Sequence, residues 1–393
     1  MKRFILLAIS LSACKWTDFD NLADQTWVRS QQKPSIGSTD YALSITGATI
    51  GSDGGTVAVV STDAPTFSTI NYDAKGGDKV GDNPLKLGQH FITSLGEKPI
   101  LVNDGKGNVA LVEKAIDAGK IAVVAGPASS PADLVFVGPP PDAATYAGTN
   151  LYIAAQATGP AMPNLFIDDG TANMPGCALL ENDGTTPMAA AAVAADATRL
   201  WVWSKTGPVY SYDLTALTGT CTGATASMPF AHTFSPGTGA RINIISDGAG
   251  HEWAVLAAHA DKATNGEVVV LDLTKNPPTQ VGTTIAIDGL LSSTAATFDS
   301  KDYVVLGIPS KDVNGTAAGQ VEIHDFDPVT GTLADMPSEV LNDAQPENGQ
   351  LFGRDVATMQ FNGKTILVVA ASNEVFAYYR TSLYPTDTRN PPP

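Results

Sequence analysis

Basic residues are scarce in this sequence, and so are long apolar runs. The chain has 23 Lys and Arg residues against 40 Asp and Glu residues, a formal net charge of −17. Such an acidic surface repels the phosphates of nucleic acids and the anionic headgroups of lipids. No run after the N-terminus approaches the ~18 apolar residues that span a bilayer as a helix. Nucleic-acid partners and internal membrane spans are therefore not expected.

The catalytic motifs that a sequence shows most clearly are also missing. His251-Glu252 is followed by Trp253 and Ala254 rather than by an H-E-x-x-H pattern, and no G-x-S-x-G elbow occurs. The string NGKT (362–365) is like the end of a phosphate loop, but Thr358 stands where that loop needs glycine. The five histidines form no recognisable cluster, and we interpret them as surface or turn residues. The sequence predicts no catalytic residues.

The N-terminus has the layout of an export signal. Lys2 and Arg3 precede an apolar stretch, which ends in Leu11-Ser12-Ala13-Cys14. These four residues resemble the lipobox of bacterial lipoproteins, in which the peptide before the cysteine is removed and the cysteine is acylated. The resemblance implies a signal peptide over 1–13, acylation of Cys14 and a membrane anchor of two or three acyl chains. The alternative is an ordinary secretory signal with an unrelated cysteine.

The residues after Cys14 bear on where the anchor would lie. In the lipoprotein pathway an Asp after the cysteine favours the inner membrane, and this chain has Lys15 there. The resemblance therefore implies a lipid-anchored protein of the outer membrane, on its periplasmic face or at the cell surface. The polar segment 14–37 reads as an acylated tether. The tail over 381–393, which ends in NPPP, reads as extended or disordered.

Short apolar strands recur at roughly 50-residue intervals between residues 38 and 380. The buried-type strands are TVAVVS, PILVN, LYIAAQ, LWVWS, WAVLAA, YVVLGI and TILVVAA. Most follow a small-residue strand and a tight turn, and the later ones precede an alternating strand such as EVVVLDL or QVEIHDF. Little of the chain has helical periodicity, apart from a candidate short helix over 112–119. This repeated order of strands and turns predicts an all-β fold, a β-propeller of seven blades. Eight blades are possible because KIAVVAG and DLVFVG add strands, and a β-sandwich is the alternative fold.

The last repeat, FGRDVATMQFNGKTILVVAASNEVFAYYR, resembles the FG-GAP repeat of integrin-α-type propellers. The matching residues are Phe352, Gly353, Val356, Ala357, Phe361, Asn362, Gly363, Leu367, Val368, Val369, Ala370, Ala371, Val375, Phe376 and Tyr378. The repeats at 238–273 and 291–326 match the pattern more loosely, and the earlier repeats match only in the spacing of their strands. The resemblance implies a domain of degenerate FG-GAP repeats over 38–380.

Calcium-binding FG-GAP repeats use a loop rich in Asp, and this chain departs from that pattern. In the last repeat, Lys364 places a cation within the loop that would supply the calcium ligands. The other turns offer few side-chain oxygens. The segment Asp325–Asp335 is a candidate metal loop, but its D-x-D-P-x-T-G-x-L string is more typical of a hairpin turn. We expect no cofactor, with calcium possible despite the degraded ligand pattern.

Two structural predictions follow from export and from ring geometry. With Cys14 acylated, Cys177 and Cys221 remain as an even pair in an oxidising compartment, where a disulfide is expected; the alternative is two buried thiols. Propellers also avoid a weak seam by pairing strands from both chain ends in one blade. The strand at 375–379 should therefore pair with a strand from 27–45.

Function is expected in the loops rather than in the blade cores. The sequence predicts a protein- or polysaccharide-interaction module of the bacterial envelope or surface, serving in adhesion, motility or an envelope machine. It would act as a monomer or as part of a larger complex. The alternatives are a propeller-type glycan hydrolase or lyase, and an outer-membrane assembly scaffold. The longer insertions at 157–163, 260–266, 309–319 and 336–350 should protrude. The expected contact residues are Pro309, Ser310, Lys311, Asp312, Asn314, Asp261, Lys262 and Asn265.

Overall fold

The fold is described from a computed structural model of the chain. The described residues are 27–29, 42–50, 55–62, 67–72, 78–80, 100–104, 108–112, 120–125, 132–135, 139, 141–156, 159, 161–170, 175–217, 221–237, 239–260, 265–313, 315–343, 346–361, 364–372 and 374–380. Cys14, the lipobox, the tether up to residue 26 and the tail over 381–393 lie outside them.

The described part of the chain forms seven β-sheets in succession, antiparallel apart from one parallel strand pair in the third sheet. Strand β1 (Trp27–Arg29) belongs to the last sheet. The first sheet contains β2 (Ala42–Ile50), β3 (Gly55–Thr62), β4 (Phe67–Tyr72) and β5 (Asp78–Val80). The second contains β6 (Ile100–Asn103), β7 (Asn108–Val112), β8 (Lys120–Ala125) and β9 (Ala132–Val135).

The third sheet includes a strand that follows the fourth sheet in the chain. The third contains β10 (Pro141–Ala147), β11 (Asn150–Ala155), β12 (Leu165–Asp168) and β13 (Gly176–Leu180). The fourth contains β14 (Ala190–Ala195), β15 (Arg199–Ser204) and β16 (Val209–Asp213), followed by a 3₁₀ helix at Leu214–Leu217. The next strand, β17 (Cys221–Thr225), pairs in parallel with β13 of the third sheet. The chain thus returns from the fourth sheet to the outer edge of the third.

The remaining three sheets have longer strands. The fifth contains β18 (Arg241–Ser246), β19 (Glu252–His259), β20 (Asn265–Asp272) and β21 (Thr279–Asp288). The sixth contains β22 (Ser292–Phe298), β23 (Lys301–Ile308), β24 (Gln320–Asp327), β25 (Thr332–Leu333) and β26 (Glu339–Leu341), the last of which pairs with β24. The seventh contains β27 (Asp355–Phe361), β28 (Lys364–Ala370) and β29 (Val375–Arg380), with β1 at its edge.

The first strand of each sheet contacts the first strand of the next, and β27 contacts β2, so the seven innermost strands close a ring. Small side chains make this convergence possible, as in the alanine-rich β14. Where β2 meets β27, a Cβ on Gly47 would lie 2.3 Å from the carbonyl oxygen of Thr358. The sheets therefore radiate from a central channel, and the β-propeller prediction is confirmed.

Burial explains the apolar strands that mark the repeats. β15, β19 and β23 are second strands, and nearly every residue in them is buried because the sheet is covered on both faces. Their side chains alternate between clusters shared with the preceding and the following sheet. In β23, for example, Val305 joins the cluster with the seventh sheet and Val304 the cluster with the fifth. The core is thus a series of layers between neighbouring sheets.

Two details of the repeat assignment were wrong. PILVN forms β6, the innermost strand of the second sheet, rather than a covered second strand. KIAVVAG and DLVFVG supply β8 and β9, which complete that same sheet rather than an eighth blade. Of the candidate helix over 112–119, Val112 is the last residue of β7, and the rest of the segment lies outside the described residues. The strands of the second sheet are too short for the periodicity of their apolar residues to show which blade they belong to.

The ring is closed by strands from both ends of the described chain, as the closure prediction requires. β1 pairs with β29, with Trp27 opposite Arg380. The Trp27 indole packs edge-on against Phe298 of the sixth sheet at a centroid distance of 4.8 Å, and the Arg380 guanidinium lies 4.7 Å above the indole. Glu339 accepts hydrogen bonds from both the indole nitrogen and Arg380. One aromatic side chain therefore joins the closing strand to two sheets.

Candidate functional site: the loop face and the central channel

The connections between strands emerge at two ends of the ring. Because neighbouring strands are antiparallel, the connections between second and third strands, and those between sheets, leave at one end, which we call the loop face. The hairpins that join first to second strands and third to fourth strands leave at the other end, the turn face. The insertions predicted at 157–163, 260–266 and 309–319 all fall at connections between second and third strands, although Asn265 and Gly266 already belong to β20. They therefore share the loop face, as expected.

The segment 309–319 between β23 and β24 is held against the start of the seventh sheet. Main-chain N–H groups of Gly349, Leu351 and Phe352 donate to the carbonyl oxygens of Thr316, Ala317 and Ala318 over 2.8–3.1 Å. Thr316 N–H in turn donates to Asn348 Oδ1 at 2.9 Å. Segments of two sheets thus form one continuous surface.

Glycine makes this close approach possible. Gly319 has a φ of +89°, and a Cβ there would lie 2.1 Å from the carbonyl oxygen of Phe352. Ser372, in the connection between β28 and β29, donates through its hydroxyl to the Gly349 carbonyl at 2.7 Å. The exposed residues of this surface, which we call the rim patch, are Ser310, Lys311, Asp312, Thr316, Glu347 and Asn348.

The structure sorts the predicted contact residues into three groups. Ser310, Lys311 and Asp312 are exposed at the loop face, and Asp312 Oδ1 accepts from Ala317 N–H at 2.7 Å. Pro309 was wrongly chosen, because it is buried where β23 ends. Asn265 was wrongly placed in a loop, because it is the first residue of β20 and its carbonyl accepts from Ala260 N–H.

Three other predicted contact residues, Asp261, Lys262 and Asn314, lie outside the described residues, so their role stays a prediction. The predicted protruding segment 336–350 also needs correction, because Glu339–Leu341 forms β26 at the outer edge of the sixth sheet.

The central channel holds a charge pair that the sequence did not reveal. Asp355, at the start of β27, is fully buried. Its Oδ2 accepts from Ile45 N–H at 2.8 Å and from the Ser44 hydroxyl at 3.2 Å, and its Oδ1 accepts from Arg241 Nη2 at 2.9 Å. Hydrogen bonds therefore satisfy both oxygens of the buried carboxylate and fix Arg241 from the fifth sheet.

Two adjoining cavities lie in the channel. One, of about 210 Å³, is lined at the first residues of the innermost strands by Ser44, Asp142 and Arg241 among others. The second, of about 220 Å³, shares Thr145 and Arg241 with it. Asp142 is bound by Lys205 Nζ at 2.8 Å, so both carboxylates near the first cavity are already paired with a cation.

Tyr146 lines the second cavity. Burial, together with the charges of Asp104 and Asp168, holds the pKa of its hydroxyl well above its usual value. The phenol therefore stays protonated and does not serve as a base.

The disulfide predicted from the cysteine count is present in the structure. Cys177 and Cys221 are bonded, with a Cα–Cα distance of 4.7 Å. They are directly paired residues of the neighbouring strands β13 and β17. The bond thus fixes the strand that follows the fourth sheet to the edge of the third.

The segment with a possible metal loop forms a hairpin. Asp327 Oδ1 accepts from Val329 N–H at 3.0 Å, its Oδ2 accepts from the Thr330 hydroxyl at 2.7 Å, and Gly331 takes a φ of +71°. Within the described ranges, no group of three or more His, Cys, Asp or Glu side chains is placed to hold a metal. The expectation of no cofactor, with calcium as the exception, stays a prediction.

The comparisons with known proteins bear on the fold. No protein-family profile matches the sequence, and no curated protein matches it. The structure is similar to the WD40 β-propeller domain of Doa1, at 10% identity and a TM-score of 0.53, over 91% of this chain and 99% of that one. It is also similar to the SapL1 lectin in complex with alpha methyl fucoside, at 12% identity and a TM-score of 0.44, over 85% and 90% of the two chains. At 10% identity the likeness to the WD40 domain bears on the fold alone, and it agrees with a β-propeller. No helix in the described part is long and apolar enough to cross a membrane.

Proposed function

We propose that this protein is a propeller-type interaction module that binds a protein or polysaccharide partner of the bacterial envelope through its rim patch. The observation that carries the proposal is the main-chain bonding between 316–318 and 349–352. It fixes the backbone on which the exposed side chains of the rim patch stand. Preorganised surfaces bind better because less conformational entropy is lost on association.

The proposed setting is the outer membrane, with the acylated Cys14 as anchor. The lipobox resemblance of Leu11–Cys14 supports this setting, and Lys15 favours the outer membrane over the inner one. The degenerate FG-GAP pattern of the seventh sheet supports an interaction role.

We also propose that the module is not an enzyme. Proton transfer between a catalytic acid and a base needs groups that are free to exchange protons. The described carboxylates in and beside the first cavity, Asp142 and Asp355, are instead each paired with a cation, Lys205 and Arg241. Hydrolysis of an envelope glycan by the purified, folded protein would contradict this part of the proposal.

The test is charge reversal at Lys311, measured as partner recovery from crosslinked envelopes. Lys275→Glu is the matched control, because Lys275 is 61% exposed in the β20–β21 hairpin of the turn face. Lys311→Glu should reduce recovery of the main partner at least about tenfold if its charge contacts that partner in a desolvated interface. Thermal unfolding of both variants should match the unmodified protein. Equal recovery by the two folded variants would contradict the choice of surface.

A further inference from the structure

The first channel cavity has room for a small molecule rather than for a peptide segment or a folded partner. Its volume of about 210 Å³ is well above the ~10–15 Å³ that one water molecule needs on the same measure. It lies at the loop-face end of the innermost strands, because these strands begin there. A ligand in this cavity therefore has to be recognised by a few side chains of those strands.

Arg241 is the strongest recognition group in the cavity. Its side chain is 29% exposed, whereas its partner Asp355 is completely buried. Among the described residues, the Arg241 side chain donates a hydrogen bond to Asp355, and it does so through Nη2 alone. A guanidinium carries five N–H donors in a planar fork that matches a carboxylate. Asp355 thus orients the fork and leaves donors for a ligand.

Asn243 supplies an acceptor beside this donor. Its Nδ2 donates to the Ser293 hydroxyl at 2.8 Å, which leaves the amide oxygen for another donor. Arg241 and Asn243 are two residues apart on β18 and therefore on the same side of it, about 7 Å from each other along the strand. A pyranose ring can span that distance with a carboxylate at one end and a hydroxyl at the other.

Asp142 is the one carboxylate among the residues that line the first cavity, and its buried Oδ2 has no hydrogen-bond partner in the described part of the chain, so it can accept from a ligand hydroxyl. The Lys205 ammonium lies 2.8 Å from Asp142 Oδ1. A short amino acid with its carboxylate on Arg241 does not reach Asn243, about 7 Å away along the strand, and its ammonium gains little from Asp142, whose charge Lys205 offsets. A sugar acid brings neutral hydroxyl groups, which suit the Thr145 and Asn243 side chains of the wall.

We propose that the channel cavity is a binding site for a single hexuronic acid unit, with its carboxylate on Arg241 and a ring hydroxyl on Asn243. The site goes beyond the proposed function, because it does not depend on the rim patch and holds whether or not that surface binds a partner.

The test measures binding of three probes by calorimetry or ligand-observed NMR. The probes are D-glucuronate, D-glucose and L-alanine. Glucuronate should bind at least about tenfold more tightly than either of the others, because hydrogen bonds to a charged group are the strong ones. Arg241→Lys should weaken glucuronate binding about tenfold and leave glucose unchanged, since it keeps the charge but loses the fork. Asn243→Ala should weaken it about threefold.

Arg199→Lys is the matched control, because Arg199 lies over the Trp201 ring, outside the residues that line the two cavities. Thermal unfolding is recorded for each variant. If Arg241→Lys does not fold, the test rests on two other measurements. These are the preference of the unmodified protein for glucuronate over glucose and the weakening of glucuronate binding by Asn243→Ala. The proposal is overturned if glucuronate binds no better than glucose, or if folded Arg241→Lys binds it as the unmodified protein does. Alanine binding as tightly as glucuronate would overturn the sugar assignment.

Discussion

The loop face and the turn face use their polar side chains in different ways. On the turn face, aspartates close their own hairpins: Asp196, Asp247, Asp272 and Asp327 each accept a hydrogen bond from a backbone N–H two residues further along. On the loop face, the segments 309–319 and 346–352 bond to each other across two sheets. These aspartates of the turn face therefore bond within their own hairpins, whereas the exposed side chains of the rim patch, including Asp312 and Asn348 that also accept from backbone N–H groups, stand on segments that bond to each other.

The largest expected effect separates the stability of the ring from the geometry of the rim patch. Replacing Cys177 and Cys221 together with serine removes a crosslink that closes a 44-residue separation. The chain-entropy model gives a loss of about 4 kcal/mol in the free energy of unfolding. Denaturant unfolding should show this loss, while the folded variant keeps its partner recovery. A loss of recovery at full folding would mean that the disulfide, and not only the rim, shapes the binding surface.

A pair of glycines sharpens the comparison between the faces. Gly319 and Gly248 both have positive φ, but a Cβ on Gly248 would meet nothing within 4 Å. Gly319→Ala should cost about 3 kcal/mol, because the backbone strain adds to a clash with Phe352. Gly248→Ala should cost about 1 kcal/mol from strain alone. Chemical denaturation measures both, and equal losses would mean that the rim contact is not tight.

Two aspartates test the different uses of carboxylates. Asp196 accepts from Thr198 and Arg199 N–H, and also from the indole N–H of buried Trp201. Asp196→Ala should lower the free energy of unfolding by about 2 kcal/mol without changing partner recovery. Asp312→Ala should lower it by about 1 kcal/mol, because one Ala317 N–H loses its acceptor. Asp312→Ala should also weaken partner recovery, and the opposite pattern would reverse the roles of the two faces.

The smallest expected effect is an acid response of the turn face. Hydrogen bonds from Thr215 and Thr330 hold the pKa values of Asp213 and Asp327 below the usual 3.8. A depressed pKa in the folded state gives stability that is present above the unfolded value and is lost as pH falls through the folded one. Melting temperature should therefore drop below about pH 4, and less so in an Asp213→Asn, Asp327→Asn variant. Identical acid profiles would show that these turns do not contribute.

The sequence predicts the fold better than the site because the two rest on different signals. Covered strands such as WAVLAA and YVVLGI are apolar on both faces, and this burial is visible in composition. The pairing of β1 with β29 follows from ring topology, and the even cysteine pair predicts the disulfide. The strands of the second sheet were assigned wrongly because PILVN is apolar although it is an innermost strand. Apolar composition alone therefore does not show which position a strand takes in its sheet.

The channel site was missed for a different reason. Arg241 and Asp355 are more than a hundred positions apart in the chain, and only closure of the ring brings them within 2.9 Å. A usable signal did exist: each is the charged first residue of a small-residue or alternating strand, RINIIS and DVATMQF. Pro309 was misassigned because the end of β23 cannot be read from the residues that follow it.

Photo-crosslinking tests most directly whether the loop face is the partner surface. A photoreactive amino acid replaces Thr316 of the rim patch or Thr274 of the turn face; both residues are exposed. Illumination of cells that express each variant at equal levels should give a discrete crosslinked adduct from position 316 and none from position 274. An adduct from position 274 alone would contradict the account.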